Sequence, residues 1–198
     1  PSHGVMLTSA TLTDGGGWEA AVAKSGATHL GIDPRRAQAE GPFDYATQAE
    51  VLIVTDVKKG DIPALAGAYG RIIEACEGGV LGLFTAIRRL RAVHGRIADR
   101  LARDGLPLYA QHVDPIDTGT LVDIFRDDPR ASLLGTDALR DGVDVPGESV
   151  RLVVMDGGPC PRPTVLHAPR RAAEGGPAYD DRVVRARLAQ AFGRLIRR

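Results

Sequence analysis

Val80-Leu81-Gly82-Leu83-Phe84-Thr85 contains no polar side chain until its last position. A strand with one wet face alternates polar and apolar residues; this one does not, so both of its faces must be covered. Two-sided burial in a short run is the mark of a parallel sheet flanked by helices. The neighbouring segments supply those helices. On the C-terminal side, 87–103 carries Ile87, Leu90, Ile97 and Leu101 as its expected inner face. Arg88, Arg91, Arg96, Arg100 and Arg103 occupy the remainder, and Gly105 follows as a stop signal. On the N-terminal side, Asp61 can cap a helix with Pro63 in its first turn. That helix carries Leu65, Ile72, Ile73 and Cys76 and ends before Gly78-Gly79.

The alternation continues down the chain. Segment 106–111 reads as a strand, and Thr118 or Thr120 starts a helix through Leu121, Ile124 and Phe125. Segment 132–136 is a strand, and 150–155 is the last clear one, ending at Asp156. This order implies right-handed crossovers and an α/β fold, a parallel sheet with helices on both faces. Such sheets bind ligands at the carboxyl ends of their strands. Thr8 to Thr11, Thr85, the loop after Thr136, and Asp156 all fall on that edge. Upstream, Val5-Met6-Leu7 is expected as a short strand, 18–25 as a short helix, 29–33 as a possible strand, and 51–55 as a cleaner strand. Segment 164–179 is loop-like by composition.

Bulk properties narrow the function classes. Across 198 residues, 43% are apolar, enough for a core, and the formal net charge is zero. The charge is uneven: 151–198 holds ten arginines against four acids, which favours an anionic partner near the C-terminus. Cys76 and Cys160 stand far apart with no metal-ligand spacing, and a reduced, cytoplasmic protein is expected. No apolar run approaches the ~20 residues of a membrane span, and no signal peptide is visible. The chain opens at Pro1 and closes on arginines, so both ends read as cut.

The C-terminal stretch draws the charge into a pattern. On a helix, Arg187, Gln190, Arg194 and Arg197 stack along one face, while Val184, Leu188, Ala191, Phe192 and Leu195 fall opposite. Guanidinium is planar, permanently charged and matched to phosphate oxygens. An arginine-rich surface helix whose cations suit the helix dipole accounts for the same residues.

Motifs for self-sufficient catalysis are weak. The nearest phosphate-loop match, Ala23-Lys24-Ser25 with Trp18 at the first glycine position, fails at both glycines. Val153-Val154-Met155-Asp156 looks like a magnesium-binding strand end, but no Glu follows, and Asp156 reads as structural. Gly15-Gly16-Gly17-Trp18-Glu19-Ala20 reads GxGxxA with Asp33 downstream, yet Ser9 to Asp14 separate it from the strand it should close. Ser9 and five histidines have no nucleophile elbow.

Four segments occur in order: Leu7-Thr8-Ser9-Ala10-Thr11-Leu12; Leu83-Phe84-Thr85-Ala86; Gly135-Thr136 through Asp141-Gly142-Val143-Asp144-Val145-Pro146-Gly147; and Gln190-Ala191-Phe192-Gly193-Arg194-Leu195-Ile196-Arg197. Together they resemble motifs III, IV, V and VI of superfamily 2 DNA helicases, in the DinG/XPD-like branch. Phe43-Asp44-Tyr45 and Asp156 with 159–163 also resemble segments of that branch. The likeness spans nearly the whole chain. Asp141, where many relatives carry Glu, and Gly157, Gly158 and Cys160 depart from the pattern.

The resemblance implies a RecA-like domain without its own phosphate loop. Residues 1–12 would be the last strand of a first motor domain and 13–198 the second motor domain. It implies that Arg194 and Arg197 act as arginine fingers and that Gln190, Asp144, Gly142 and Asp141 meet nucleotide. Thr85, Ala86 and Thr136 would meet single-stranded DNA, and Thr8, Ser9 and Thr11 would couple ATP state to the DNA path. ATP with Mg2+ would be held mainly by the first helicase domain, and no iron–sulfur cluster is expected within these residues. Implied partners are single-stranded or forked DNA, ATP and that first domain, with no membrane. Two other readings remain: an NAD-type dinucleotide-binding Rossmann protein, and a non-catalytic nucleic-acid-binding module.

Overall fold

The computed structural model describes residues 4–9, 11–13, 17–31, 33–41, 43–58, 60–136, 139, 149–161, 164–193 and 195. The chain forms two compact units, residues 1–55 and 56–198.

The second unit carries the sheet. Four strands, β1 (Val80–Phe84), β2 (Leu108–Ala110), β3 (Ser132–Thr136) and β4 (Leu152–Met155), pair in the order β2-β3-β1-β4. Every pairing is parallel. Leu83 sits opposite Gly135 and Phe84 opposite Thr136, so the carboxyl ends of β1 and β3 lie level. The alternation of Cβ directions sorts β1 between two cores. Val80 and Phe84 join Ala66, Tyr69, Ile73, Leu90, Val93, Ile97 and Leu101 on one face. Leu81 and Leu83 join Leu121, Phe125, Leu133, Leu139 and Ala191 on the other. The expected doubly wound α/β sheet is therefore present, with helices on both faces.

The helices follow from local rules. In α3 (Ile62–Ala75), the Asp61 carboxylate accepts from the Ala64 N–H at 2.9 Å, and Pro63 lies in the first turn. The chain leaves α3 through Gly78 and Gly79, both at positive φ. Helix α4 (Ile87–Arg103) buries Leu90, Val93, Ile97 and Leu101. Ile87, expected inside, is 41% exposed because it stands at the helix's first position, at the sheet edge. In α5 (Thr118–Asp127), the Asp117 carboxylate accepts from the Thr120 N–H at 3.1 Å. Gly82 lets a helix close on the sheet: a Cβ there would stand 2.6 Å from Leu134 Cδ2 and 2.9 Å from Tyr69 Cε1. Tyr69 instead stacks on Phe84, with ring centroids 5.1 Å apart.

Two segments expected as loop are helical: α6 (His167–Ala173) and the start of α7 (Pro177–Phe192). Pro177 occupies the first turn, where a missing N–H costs nothing. Asp180 ties the pair together, 3.1 Å from His167 Nε2 and 2.7 Å from Arg171 Nε. The C-terminal helix ends at Phe192, with Gly193 at its C-cap. Ala191, in its last turn, is buried, whereas Leu188, expected inside, remains 37% exposed.

The first unit holds α1 (Trp18–Ser25), a 3-10 turn (Ala27–His29) and α2 (Tyr45–Gln48), which Asp44 caps. Here the strand expectations fail. Val5, Met6 and Leu7 are exposed and not in a strand, and 29–31 is turn, not strand. Segment 51–55 forms no strand: Val51, Leu52, Ile53 and Val54 are all exposed and no ladder partner exists among the described residues. β-branched composition favours a strand only where a neighbour completes the hydrogen bonds. Among the described residues no strand precedes the GxGxxA stretch, which removes the support for a dinucleotide fingerprint.

Candidate functional site

The carboxyl edge of the sheet gathers Thr85, Ala86, Gln111, Thr136 and Asp156. Thr85 follows β1. Its N–H and its hydroxyl both donate to Asp156 Oδ1, at 3.0 and 3.2 Å. Thr136 ends β3. Its N–H and hydroxyl both donate to Gln111 Oε1, at 3.1 and 3.0 Å. Asp156 follows β4 and Gln111 follows β2, so each outer strand holds the tip of the inner strand beside it. Gln111 Nε2 also donates to Thr118 Oγ1 at 3.2 Å. Gln111 had not been singled out from sequence. A polar residue closing an apolar strand was the available signal, and the structure buries it.

Asp156 is fully buried at its side chain, and its charge is answered by Arg89. Arg89 Nη2 donates to the Asp156 carbonyl at 3.0 Å, and Nε lies 3.0 Å from Oδ2. The second contact is an ion pair whose angle is not that of a hydrogen bond. Behind them, the Tyr69 hydroxyl has no hydrogen-bond partner among the described residues. Burial pushes its pKa well above the usual tyrosine range, the Asp156 carboxylate adds to the rise, and Arg89 opposes it. Magnesium does not fit at Asp156, whose carboxylate is enclosed and committed to Thr85 and Arg89.

Ala86 caps α4 without any side-chain hydrogen bond. The first intrahelical bonds come from the Arg89 and Leu90 N–H groups, so those of Ala86, Ile87 and Arg88 precede the ladder. A helix start of this kind favours negative charge. Beside it, Arg91 donates Nε and Nη2 to the His112 carbonyl, at 3.1 and 2.9 Å. His112 itself stands at a φ of 67°, a left-handed conformation uncommon outside glycine.

In α7, Arg187 does not stand free in a row of cations. Its Nη1 donates to the carbonyls of Pro159 and Cys160, at 3.0 and 2.9 Å. Gln190 is exposed. Arg194 and Arg197 lie outside the described residues, as do Asp141, Gly142 and Asp144. Thr8 and Ser9 are exposed, and Ser9 Oγ accepts from the Thr11 N–H at 3.2 Å. The structure thus brings Thr85, Ala86 and Thr136 to one edge, and Thr8, Ser9 and Thr11 belong to the other unit. Among the described residues no cluster of three or more metal-ligating side chains occurs, and no helix is long and apolar enough to cross a membrane.

A doubly wound parallel sheet with helices on both faces and polar strand tips at one edge is a RecA-like α/β domain. Residues 69–198 match the family model described as the helicase C-terminal domain. Nearly the whole chain, 98%, aligns at 36% identity with the ATP-dependent helicase DinG of Mycobacterium tuberculosis H37Rv and with that of Mycobacterium bovis, covering 30% of each. The 3'-5' exonuclease DinG of Bacillus subtilis is 30% identical over 77% of this chain and 17% of its own. The chain belongs to the helicase C-terminal domain family, in its DinG-like branch. It spans less than a third of the length of these relatives.

Proposed function

We propose that this chain is the second motor domain of an ATP-dependent DNA helicase, acting on single-stranded or forked DNA. The observation that carries it is the convergence of Thr85, Ala86 and Thr136 on level, adjacent strand ends of a sheet whose family is helicase. DNA phosphates pass over that edge, met by the N–H groups that open α4 and by the ends of β1 and β3. The exposed Gln190 and, beyond it, Arg194 and Arg197 approach ATP held by a first motor domain, with Asp141, Gly142 and Asp144 alongside. The arginines stabilise charge that grows on the transferring phosphoryl group. Thr8, Ser9 and Thr11 relay the nucleotide state to the DNA path. Magnesium, where bound, offsets phosphate charge; none of the described side chains here holds it.

Arginine fingers are worth ~10³ or more in rate. Arg197→Ala in the full-length protein is therefore expected to collapse kcat for DNA-stimulated ATP hydrolysis while melting stays within a few degrees, on the scale of a surface substitution. Arg185→Ala, off that face by the helical count, is expected to change neither. Steady-state ATPase beside thermal melting decides. Unfolding by Arg197→Ala would make the stretch structural, and normal turnover by both variants would refute the assignment.

A further inference from the structure

Asp156 was read from sequence as a structural strand end, and no nucleotide or metal role falls to it. Its surroundings give it a more specific task. It is a charged side chain with no exposed surface, placed where burial is costly unless every interaction is met. One oxygen takes both donors of Thr85, the other faces Arg89, and its own carbonyl takes Arg89 Nη2. Arg89 lies in the first turn of α4, and Thr85 immediately precedes Ala86. One residue immediately after β4 thus clamps the bend between β1 and α4 from both ends. Because Thr85 spends both its N–H and its hydroxyl on Asp156, it offers a phosphate no donor in this state. Among the described residues, the donors that remain at the bend are the N–H groups of Ala86, Ile87 and Arg88. Their direction depends on where the bend is held.

We propose that Asp156 is a positioning residue for single-strand binding: through Thr85 and Arg89 it fixes the β1–α4 bend so that the opening N–H groups of α4 face the DNA phosphates. The acceptor at Oδ1 matters more than the charge, because it takes two donors at once. This role rests on the DNA path proposed above, and a separate variant tests that path. Ala86→Asp supplies a better helix cap but sets a negative charge on the path.

The experiment measures fluorescence anisotropy of labelled oligo-dT with the full-length protein, alongside thermal melting. Ala86→Asp is expected to weaken binding by tenfold or more without lowering the melting temperature; unchanged binding would sink the DNA path itself. With that path established, Asp156→Ala is expected to raise Kd about tenfold, the scale of a lost hydrogen bond to a charged group. Asp156→Asn, which keeps the Oδ1 acceptor, is expected to restore affinity to within about twofold, on the scale of a retained acceptor. Wild-type affinity in a folded Asp156→Ala, or equal losses in Ala and Asn, would overturn the proposal. Should Asp156→Ala fail to fold, Thr85→Val decides. It removes only the hydroxyl donor: a threefold or greater loss, about half of a hydrogen bond to a charged group, supports the clamp, and no loss refutes it.

Discussion

Gly82→Ala adds one methyl group to the centre of β1, and the structure says where it goes. The new Cβ would lie 2.6 Å from Leu134 Cδ2 and 2.9 Å from Tyr69 Cε1, both closer than carbon atoms approach. Neither neighbour can yield easily. Leu134 is the residue paired with Gly82 across the ladder and is fully buried, and Tyr69 is wedged against Phe84. Overpacking of this kind costs about 1–3 kcal/mol. The loss of backbone freedom in the unfolded chain returns about 0.4–1 kcal/mol. The net cost centres on about 1.3 kcal/mol, and for a domain of this size that lowers Tm by roughly 3–5 °C. Gly95→Ala makes the same chemical change in mid-α4, where nothing lies within 4 Å of the added atom. There the helix gains about 0.5–1 kcal/mol. Thermal melting of both variants checks the contrast. A second control combines Gly82→Ala with Leu134→Ala, which vacates the closer contact; the double variant is expected to be more stable than the two single losses added, by about 0.5–2 kcal/mol. If Gly82→Ala melts at or above wild type, Tyr69 does not press on the sheet as described and the packing argument is wrong.

Two further outcomes are expected. The Asp117 carboxylate, capping α5, has its pKa lowered from 3.8 by the Thr120 hydroxyl first and the Thr120 N–H second. A depressed carboxylate stabilises above its unfolded pKa and loses that contribution as pH falls through the folded one. Wild type should therefore melt above Asp117→Asn near neutral pH, with the margin closing in acid below the ordinary carboxylate range; a margin constant with pH in melting scans would remove the titration argument. The purified 198-residue chain is expected to show no ATPase above background with or without DNA, since its sequence holds no phosphate loop. Turnover that disappears in Arg197→Ala would show that the chain suffices alone.

The fold was legible where local pattern and tertiary surroundings agree. The unbroken run at Val80–Phe84 announced two-sided burial, and the boundaries of α1 and α4 coincide with their sequence signals. Val51 to Val54 carry an equally strong strand signal and form none, because a ladder is a property of two segments and sequence displays only one. Helix α6 was hidden for a related reason: it is a short run of His, Pro, Ala and Arg, and its His167 and Arg171 are tied to Asp180 in the first turn of the next helix. Within the site, Thr85 and Thr136 were visible as hydroxyls ending apolar runs. Their partners were not. Which residue reaches Thr85 depends on β4 lying beside β1, and which reaches Thr136 depends on β2 lying beside β3. Strand order separates Thr85 from Asp156 by 71 positions along the chain.

The Arg187 guanidinium, bonded to the carbonyls of Pro159 and Cys160, has a mechanical consequence. Those carbonyls lie three and four residues beyond Asp156, on the short tether that leaves β4. One end of this linkage holds the helix that leads to the arginines, and the other holds the clamp on Thr85. A swing of α7 cannot leave the tether behind without breaking both bonds to a single nitrogen. Two hydrogen bonds thus join α7 to the segment that leaves β4, within four residues of the side chain that holds Thr85.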